Sequence, residues 1–476
     1  MTKTTTYLLG LWAGISLYTI TSYLIVLRDP FLLERLAISL KIPTIETGGL
    51  FLAQLLHVNF ITIPILAVSF LVSFFFFIRL FYLGSKIKLK KPDYLIWLAI
   101  IITVYFSFPA LSTDVFDYNN TNKVTYQYKA NPWLTPARQF PQDPEIYIAS
   151  WLDRASVYPP TAFVTSSLVY FIFGTHLTAA VLGFKALALT LYSLITYSLH
   201  YLLPKKTWLV LFFALNPLVL IEFIGNAHND LLMAFFALLG LSFFIKNKPL
   251  FSGINLGLGF LAKFTIILYL PLWIMVKLKQ AQYRHVALIT ATTVVTLSLG
   301  LLFMGDAYFA LRENLNFQLD LYHRSLPLTI RNIFHFGLNL NMVQANQVQK
   351  IISAFIFGAW YLLAFTKINE KNLVGLSALT IILYLLIVSP MLQPWYLAWF
   401  LPLVPLAHNS KLSLASIIFS FSALSHYFVY FISLYLNPLS PYWQTVLYLV
   451  MSLPGILILT IPGKWYTRLA SFFKHL

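Results

Sequence analysis

Apolar residues come in long runs along this chain, separated by short polar turns. Runs at 7–27, 59–83, 94–111, 178–203 and 286–304 approach or exceed the length a helix needs to cross a bilayer, about 20 residues. Further apolar stretches at 161–174, 207–225, 231–245, 351–365 and 373–388, the short pair within 249–276, and three more before the C-terminal tail bring the count to about 13–14 spans. The pattern predicts an all-α fold, a polytopic transmembrane helical bundle forming one integral membrane domain over 1–476.

The interruptions carry the organisation. The first run, 7–27, is too long for a cleavable leader and lacks a small-residue cleavage site. An amphipathic region with mixed charges follows at 28–49. Lys86, Lys88, Lys90 and Lys91 mark the next loop as cytoplasmic. The run at 94–111 then delivers residues 112–160 to the outer face as a first large outer loop. Asn216-Pro217 breaks the run at 207–225, because proline removes a backbone donor. Segments 249–262 and 264–276 are each short for a crossing, and they meet at Lys263. Bases on both flanks bring this pair back to the cytoplasmic side and hold Lys263 towards the outside. A second outer loop is expected at 305–347, and a basic, aromatic tail at 462–476 along the cytoplasmic interface. Two apolar segments separate the first outer loop from Lys205-Lys206; keeping those lysines inside requires 161–174 to be re-entrant or interfacial. No internal repeat is visible.

Composition agrees with a membrane protein: 59% of residues are hydrophobic and only 10% charged, where a soluble domain carries about 25%. The absence of cysteine excludes disulfide and thiolate chemistry. A net charge of +17 would suggest nucleic acid in a soluble chain, but here the bases cluster in loops between spans, so no nucleic-acid partner is expected. Neither a P-loop nor a dinucleotide fingerprint is present.

Chemistry is sought first in 112–160, where Asp114, Asp117, Asp143, Glu145 and Asp153 gather in a chain with 15 acids in all. A polar connector whose charges face water is the plainer alternative. Asp114 and Asp117 stand three apart and share a face if helical. Such a carboxylate can act as a general base towards a hydroxyl. The pair could instead hold a divalent cation such as Mg or Mn, although two acids alone make a weak site, and no residue is assigned as a metal ligand. Capping is the simpler role for His228 and Asp230 in NAHND. Glu222, an ionisable residue inside an apolar run, is a functional suspect unless it is merely interfacial. Lys263, His323 and Arg324 could face a lipid-linked phosphate; snorkelling or ordinary loop polarity would also account for them. Tyr118, Trp133, Tyr158, Trp395 and Tyr396 could form a sugar-stacking wall, or belong to interfacial belts. These residues alone leave enzyme and transporter both open.

Taken in order, the motifs resemble a known family. STDVFDY at 112–118, NPW at 131–133 and YPP at 158–160 resemble the first outer loop of the glycosyltransferase C superfamily. NPLVLIEFIGNAHNDLLM, GLGFLAKFT and LQPWYLAWFLPL are similar to further segments of the bacterial polyprenol-phosphate-mannose-dependent mannosyltransferases, including α-1,6-mannosyltransferases. The resemblance covers about 94–405. It implies a hexosyltransferase of the cell membrane, moving a hexose, by default mannose, from a polyprenyl-phosphate donor to a glycan or glycolipid acceptor on the outer face. Asp114 matches the family's loop aspartate, whose implied role is catalytic base. Asp117 carries no catalytic role from the family and stands as a candidate binding residue. Asn131, His228, Asp230, Lys263, Trp395 and Tyr396 match motif positions, while Phe116 and Trp133 depart from the family's tyrosines. Direct displacement by a hydroxyl deprotonated at Asp114 would invert the anomeric centre, with Lys263 or Arg324 neutralising the departing phosphate. The rivals are a transporter or flippase of a lipid-linked saccharide, and an O-antigen-type ligase or polymerase. Internal pseudo-symmetry marks many transporters, and none is visible here.

Overall fold

The longest apolar runs of the sequence become its longest helices. A computed structural model describes residues 1–28, 58–436, 442–467 and 471. Its long helices are α1 (Lys3–Arg28), α2 (Val58–Leu83), α6 (Leu177–Leu202), α11 (Tyr283–Met304), α14 (Met342–Lys367), α16 (Ser410–Leu436) and α17 (Tyr442–Thr460). Between them lie α3 (Lys91–Tyr105), α4 (Asp114–Asn122), α5 (Pro160–Phe173), α7 (Thr207–Ala214), α8 (Asp230–Ile245), α9 (Pro249–Phe260) and α10 (Leu270–Lys279). The 305–347 region carries α12 (Ala307–Leu319) and α13 (Leu326–Asn332), and α15 (Leu373–Ile387) follows α14. No sheet forms among the described residues; an isolated bridge pairs His323 with Met391. The amphipathic region expected beyond Arg28, and the tail beyond Thr467 except Ser471, lie outside the described residues.

Seven described helices are long and apolar enough to cross a membrane, and the bent pair α7 plus 219–225 makes an eighth if it is one span. This makes the chain a multi-pass membrane protein. Five shorter apolar helices of 10–17 residues stand beside them among the described residues. The 14 residues of α5 and 12 of α9 rise only about 1.5 Å each, well short of a perpendicular crossing. Val164, Leu168, Phe171 and Ile172 of α5 and Leu250 and Phe251 of α9 stay exposed, so both short helices keep an apolar face turned outward. The break at Asn216-Pro217 appears as expected, bending the chain by 55°.

Small residues let the helices close on one another. Gly10 and Gly14 of α1 lie against Phe76 and Ser73 of α2, and Gly253 and Gly257 of α9 lie against Thr292 and Thr296 of α11. A Cβ at any of these four would collide with its neighbour. Both pairs have the small-xxx-small spacing that brings backbones together in lipid. α11 and α14 leave most of their apolar surface uncovered, as lipid-facing helices do, whereas α16 is largely buried at the centre.

The loop at 112–160 is folded rather than merely solvated. Lys123, buried, reaches Asp143 at 2.7 Å and also pairs with Glu145, while the Tyr128 hydroxyl donates to Asp143 at 2.6 Å. Arg138 and Asp153 form an exposed pair. Two of the loop's five acids, Asp143 and Glu145, thus pair with a buried lysine, and Asp153 lies in a surface pair. Buried Lys185 of α6 donates to the carbonyls of Tyr105 and Ser107 at 2.9 and 2.6 Å, satisfying orphan acceptors where α3 ends. The Leu111 amide donates to Asn226 Oδ1 at 3.2 Å, tying the start of this loop to NAHND. Removing one member of a buried ion pair typically costs about 3–5 kcal/mol, because the remaining charge is stranded. Lys123→Met is accordingly expected to destabilise the protein by that order, read as a lowered thermal midpoint in detergent, while Arg138→Ala leaves the midpoint nearly unchanged.

Candidate active site

α4, the segment leading into α5, the Lys263 turn, the 319–324 strip, the 389–399 segment and α16 together enclose a cavity of about 1180 Å³. Asp114, Asp117, Tyr158, Lys263, His323, Arg324, Trp395 and Tyr396 line it, joined by Trp399, Tyr427 and Tyr430. Eight of the thirteen residues singled out in the sequence therefore share one chamber.

Asp114 opens α4, and its side chain is about one-fifth exposed. Its carboxylate lies 3.4 Å from His228 Nδ1, and the other ring nitrogen of His228 lies 3.3 Å from Glu222. The imidazole is fully buried and stacks on the Trp395 indole with centroids 3.9 Å apart. Local backbone explains the convergence. After the proline break the chain runs as a π-helical turn over Val219–Gly225, a distortion common at functional sites. Ala227 then takes a left-handed conformation, and the His228 amide donates to the Glu222 carbonyl at 3.2 Å. Burial opposes charge on His228, but Asp114 and Glu222 outweigh it and raise its pKa to about 9. Burial likewise opposes ionisation of Asp114; His228, then Lys263 and Ser112, overcome it and hold the carboxyl below its ordinary value. Asp117 goes the other way. Burial and the charge of Asp114 push it well above the usual carboxylate range, despite an amide bond from Trp151 at 3.1 Å. Two acids three residues apart thus have opposite roles available: one ionised, one protonated.

Asp230 sits behind the wall. It is buried at the start of α8 and accepts from Lys263 Nζ and Trp399 Nε1, each at 2.6 Å. Lys263 in turn lies over the Tyr396 and Trp399 rings at 4.9 and 5.3 Å. Its charge is already matched by Asp230. Arg324 differs: its contacts within hydrogen-bonding distance are neutral groups, His426 Nε2 at 2.6 Å and Gln393 Oε1 at 3.4 Å, with Tyr430 stacked at 4.7 Å. It takes a left-handed backbone, which for a bulky side chain marks strain of the kind found at binding sites. His323 beside it is held neutral, its pKa pushed down to about 3 by burial and by Arg324.

Residues 43–279 match the family model described as alpha-(1->6)-mannopyranosyltransferase, N-terminal domain. The chain belongs to that family. It is therefore a glycosyltransferase, which sets the transporter reading aside. No curated protein and no solved structure matches the chain.

The remaining motif positions of this mannopyranosyltransferase family member fall outside the chamber. Tyr118 accepts from the Asn229 amide at 3.4 Å and meets Tyr158 edge-on. Asn131 is exposed and accepts from the Trp133 amide at 3.0 Å, shaping the turn. Trp133 is buried among Phe163, Met304, Ala307 and Leu311. Among the described residues no cluster of His, Asp and Glu could hold a metal ion. Trp399 and His426 went unnoticed in the sequence. Trp399 lay one helical turn beyond Trp395, and a lone histidine within the apolar α16 was the available sign of His426.

Charge on His228 stabilises the fold because its pKa rises from 6.5 in the open chain to about 9 in the folded one. That contribution is complete below about pH 6.5 and drains away as pH approaches 9. Thermal stability of the detergent-solubilised protein should decline across this interval, and His228→Gln should flatten the decline.

Proposed function

We propose that this membrane glycosyltransferase moves a mannopyranosyl group from a polyprenyl-phosphate donor to a hydroxyl of a glycan or glycolipid acceptor, with inversion, on the extracytoplasmic face. The observation that carries the reading is the pairing, in one chamber, of an ionised carboxylate at Asp114 with a buried guanidinium at Arg324 that has no carboxylate partner among the described residues. A nucleophilic hydroxyl needs a base, and a departing phosphate needs a cation.

The acceptor O–H gives its proton to Asp114 as its oxygen attacks the anomeric carbon. The bond from that carbon to the phosphate oxygen breaks, and its electron pair leaves with the prenyl phosphate. Arg324 is the better phosphate partner than Lys263, because Asp230 already occupies the lysine. Protonated Asp117 can donate a hydrogen bond to the sugar without adding a second negative charge beside the base. The aromatic rings of Trp395, Tyr396 and Tyr158 give apolar faces against which a pyranose can stack. Prenyl burial supplies about 0.8 kcal/mol per CH₂, so the donor docks from the bilayer with its phosphate at the chamber.

Two variants test the assignment in purified protein with a synthetic polyprenyl-phosphate mannose and a membrane-lipid acceptor pool. Asp114→Asn is expected to lower kcat by about 10²–10⁴, the usual worth of a positioned base. Arg324→Gln is expected to raise the donor KM roughly tenfold to a hundredfold, the equivalent of a charged hydrogen bond of about 1.5–3 kcal/mol. Wild-type transfer by folded Asp114→Asn sinks the base assignment. Failure of every polyprenyl-phosphate donor sinks the donor class.

A further inference from the structure

Glu222 has no surface. It is fully buried in the π-helical turn of the broken span, and neither carboxylate oxygen makes a hydrogen bond of good geometry among the described residues. A buried carboxylate costs heavily unless a cation faces it. The group that faces it within ion-pair distance is the His228 imidazole, 3.3 Å away at Nε2, and that ring presents its other nitrogen to Asp114 at 3.4 Å. Three side chains from two helix starts and one distorted turn thus stand in line, carboxylate, imidazole, carboxylate, with the outer member alone lining the cavity. The Trp395 indole covers the ring face, so the imidazole has little freedom to turn away from either acid.

We propose that Glu222 is a positioning residue for the transfer step: it holds His228 as the charged partner that keeps Asp114 an available base. This deepens the proposed function and rests on Asp114 being the base. An imidazole facing a single carboxylate in an apolar wall has a choice between charge and neutrality. Two carboxylates on opposite nitrogens remove the choice, because each stabilises the same proton inventory, one N–H towards each acid. Without Glu222, His228 loses one of its two counter-charges and Asp114 loses its cation, so the carboxyl goes over to its protonated form in the apolar wall. The proton from the acceptor goes to Asp114 alone and is later released to water.

The other titratable groups around this line do not replace Glu222. On its own side the phenols of Tyr18 from α1 and Tyr427 from α16 face it, and the Tyr427 hydroxyl comes within reach of its carboxylate. On the Asp114 side, Lys263 contributes at longer range but is hydrogen-bonded to Asp230. Asp117, Tyr118 and Tyr158 feel the charge of Asp114 and are neutral themselves.

The readout is the acid limb of kcat/KM for mannosyl transfer from synthetic polyprenyl-phosphate mannose, with full-length protein in detergent. Glu222→Gln keeps the shape and removes the charge. Its acid limb is expected to move up by about one pH unit or more, the size of one lost charged contact, with donor KM unchanged within about twofold at pH 8, and Glu222→Asp is expected to restore part of the shift. His228→Gln should move the limb as well, and Glu222→Gln added to His228→Gln should move it no further. That comparison also serves if the single Glu222→Gln protein does not accumulate, since two amides then face each other in place of an unmatched pair. A Glu222→Gln profile superimposable on wild type, or a further shift in the His228→Gln background, overturns the inference. If Asp114→Asn is inactive while Glu222→Gln behaves as wild type, Glu222 alone is misassigned. If Asp114→Asn retains full transfer, the base assignment falls and the role of Glu222 falls with it.

Discussion

Charge neutralisation without water is the constraint on which the centre of this molecule depends. Glu222, Asp114 and Asp230 are carried into an apolar wall, and each would be costly there alone. His228 faces two of them and Lys263 the third. Because these charges come from the α4 start, the turn at 226–230 and the turn at Lys263, matching them fixes how the three segments meet. Specificity of arrangement, more than net stability, is what such a network supplies.

The sequence disclosed the segments better than the contacts. Asp114, Lys263, Arg324, Trp395 and Tyr396 stood out through motif position or through charge in apolar surroundings, and all reach one cavity. His228 and Asp230 were equally visible, but their simplest explanation was capping; long-range pairing with Glu222 and Lys263 gives them their place, and no local pattern encodes it. Asp143, Glu145 and Asp153 illustrate the converse. Counting acids made the first loop a centre of chemistry, yet Lys123 and Arg138 absorb these three, a fact that depends on tertiary folding. Hydropathy reports which segments avoid water, and it does not by itself separate a short apolar helix from one that crosses.

Distortions of the regular helix concentrate where the chamber is built. The π turn at 219–225 turns Glu222 inward, and left-handed residues at Ala227 and Arg324 redirect the chain immediately before His228 and at the guanidinium. Regular spans could not have delivered these groups, since a helix presents side chains in fixed rows along its axis. The scaffold carries rigid, straight helices at its margins, where α1 clasps α2 and α9 clasps α11 through paired glycines, and irregular backbone at its middle. Such backbone is tolerated at membrane depth where it lines a cavity.

Trp133 lies outside the chamber, but its setting has a mechanical meaning. Its ring nitrogen holds the Tyr158 carbonyl at 2.9 Å, its own carbonyl is held by Asn314 of α12 at 3.3 Å, and its ring is wedged between α5 and α12. One side chain thereby ties the 112–160 and 305–347 segments to each other. Displacing either segment breaks a contact that the other holds, so their movements are coupled.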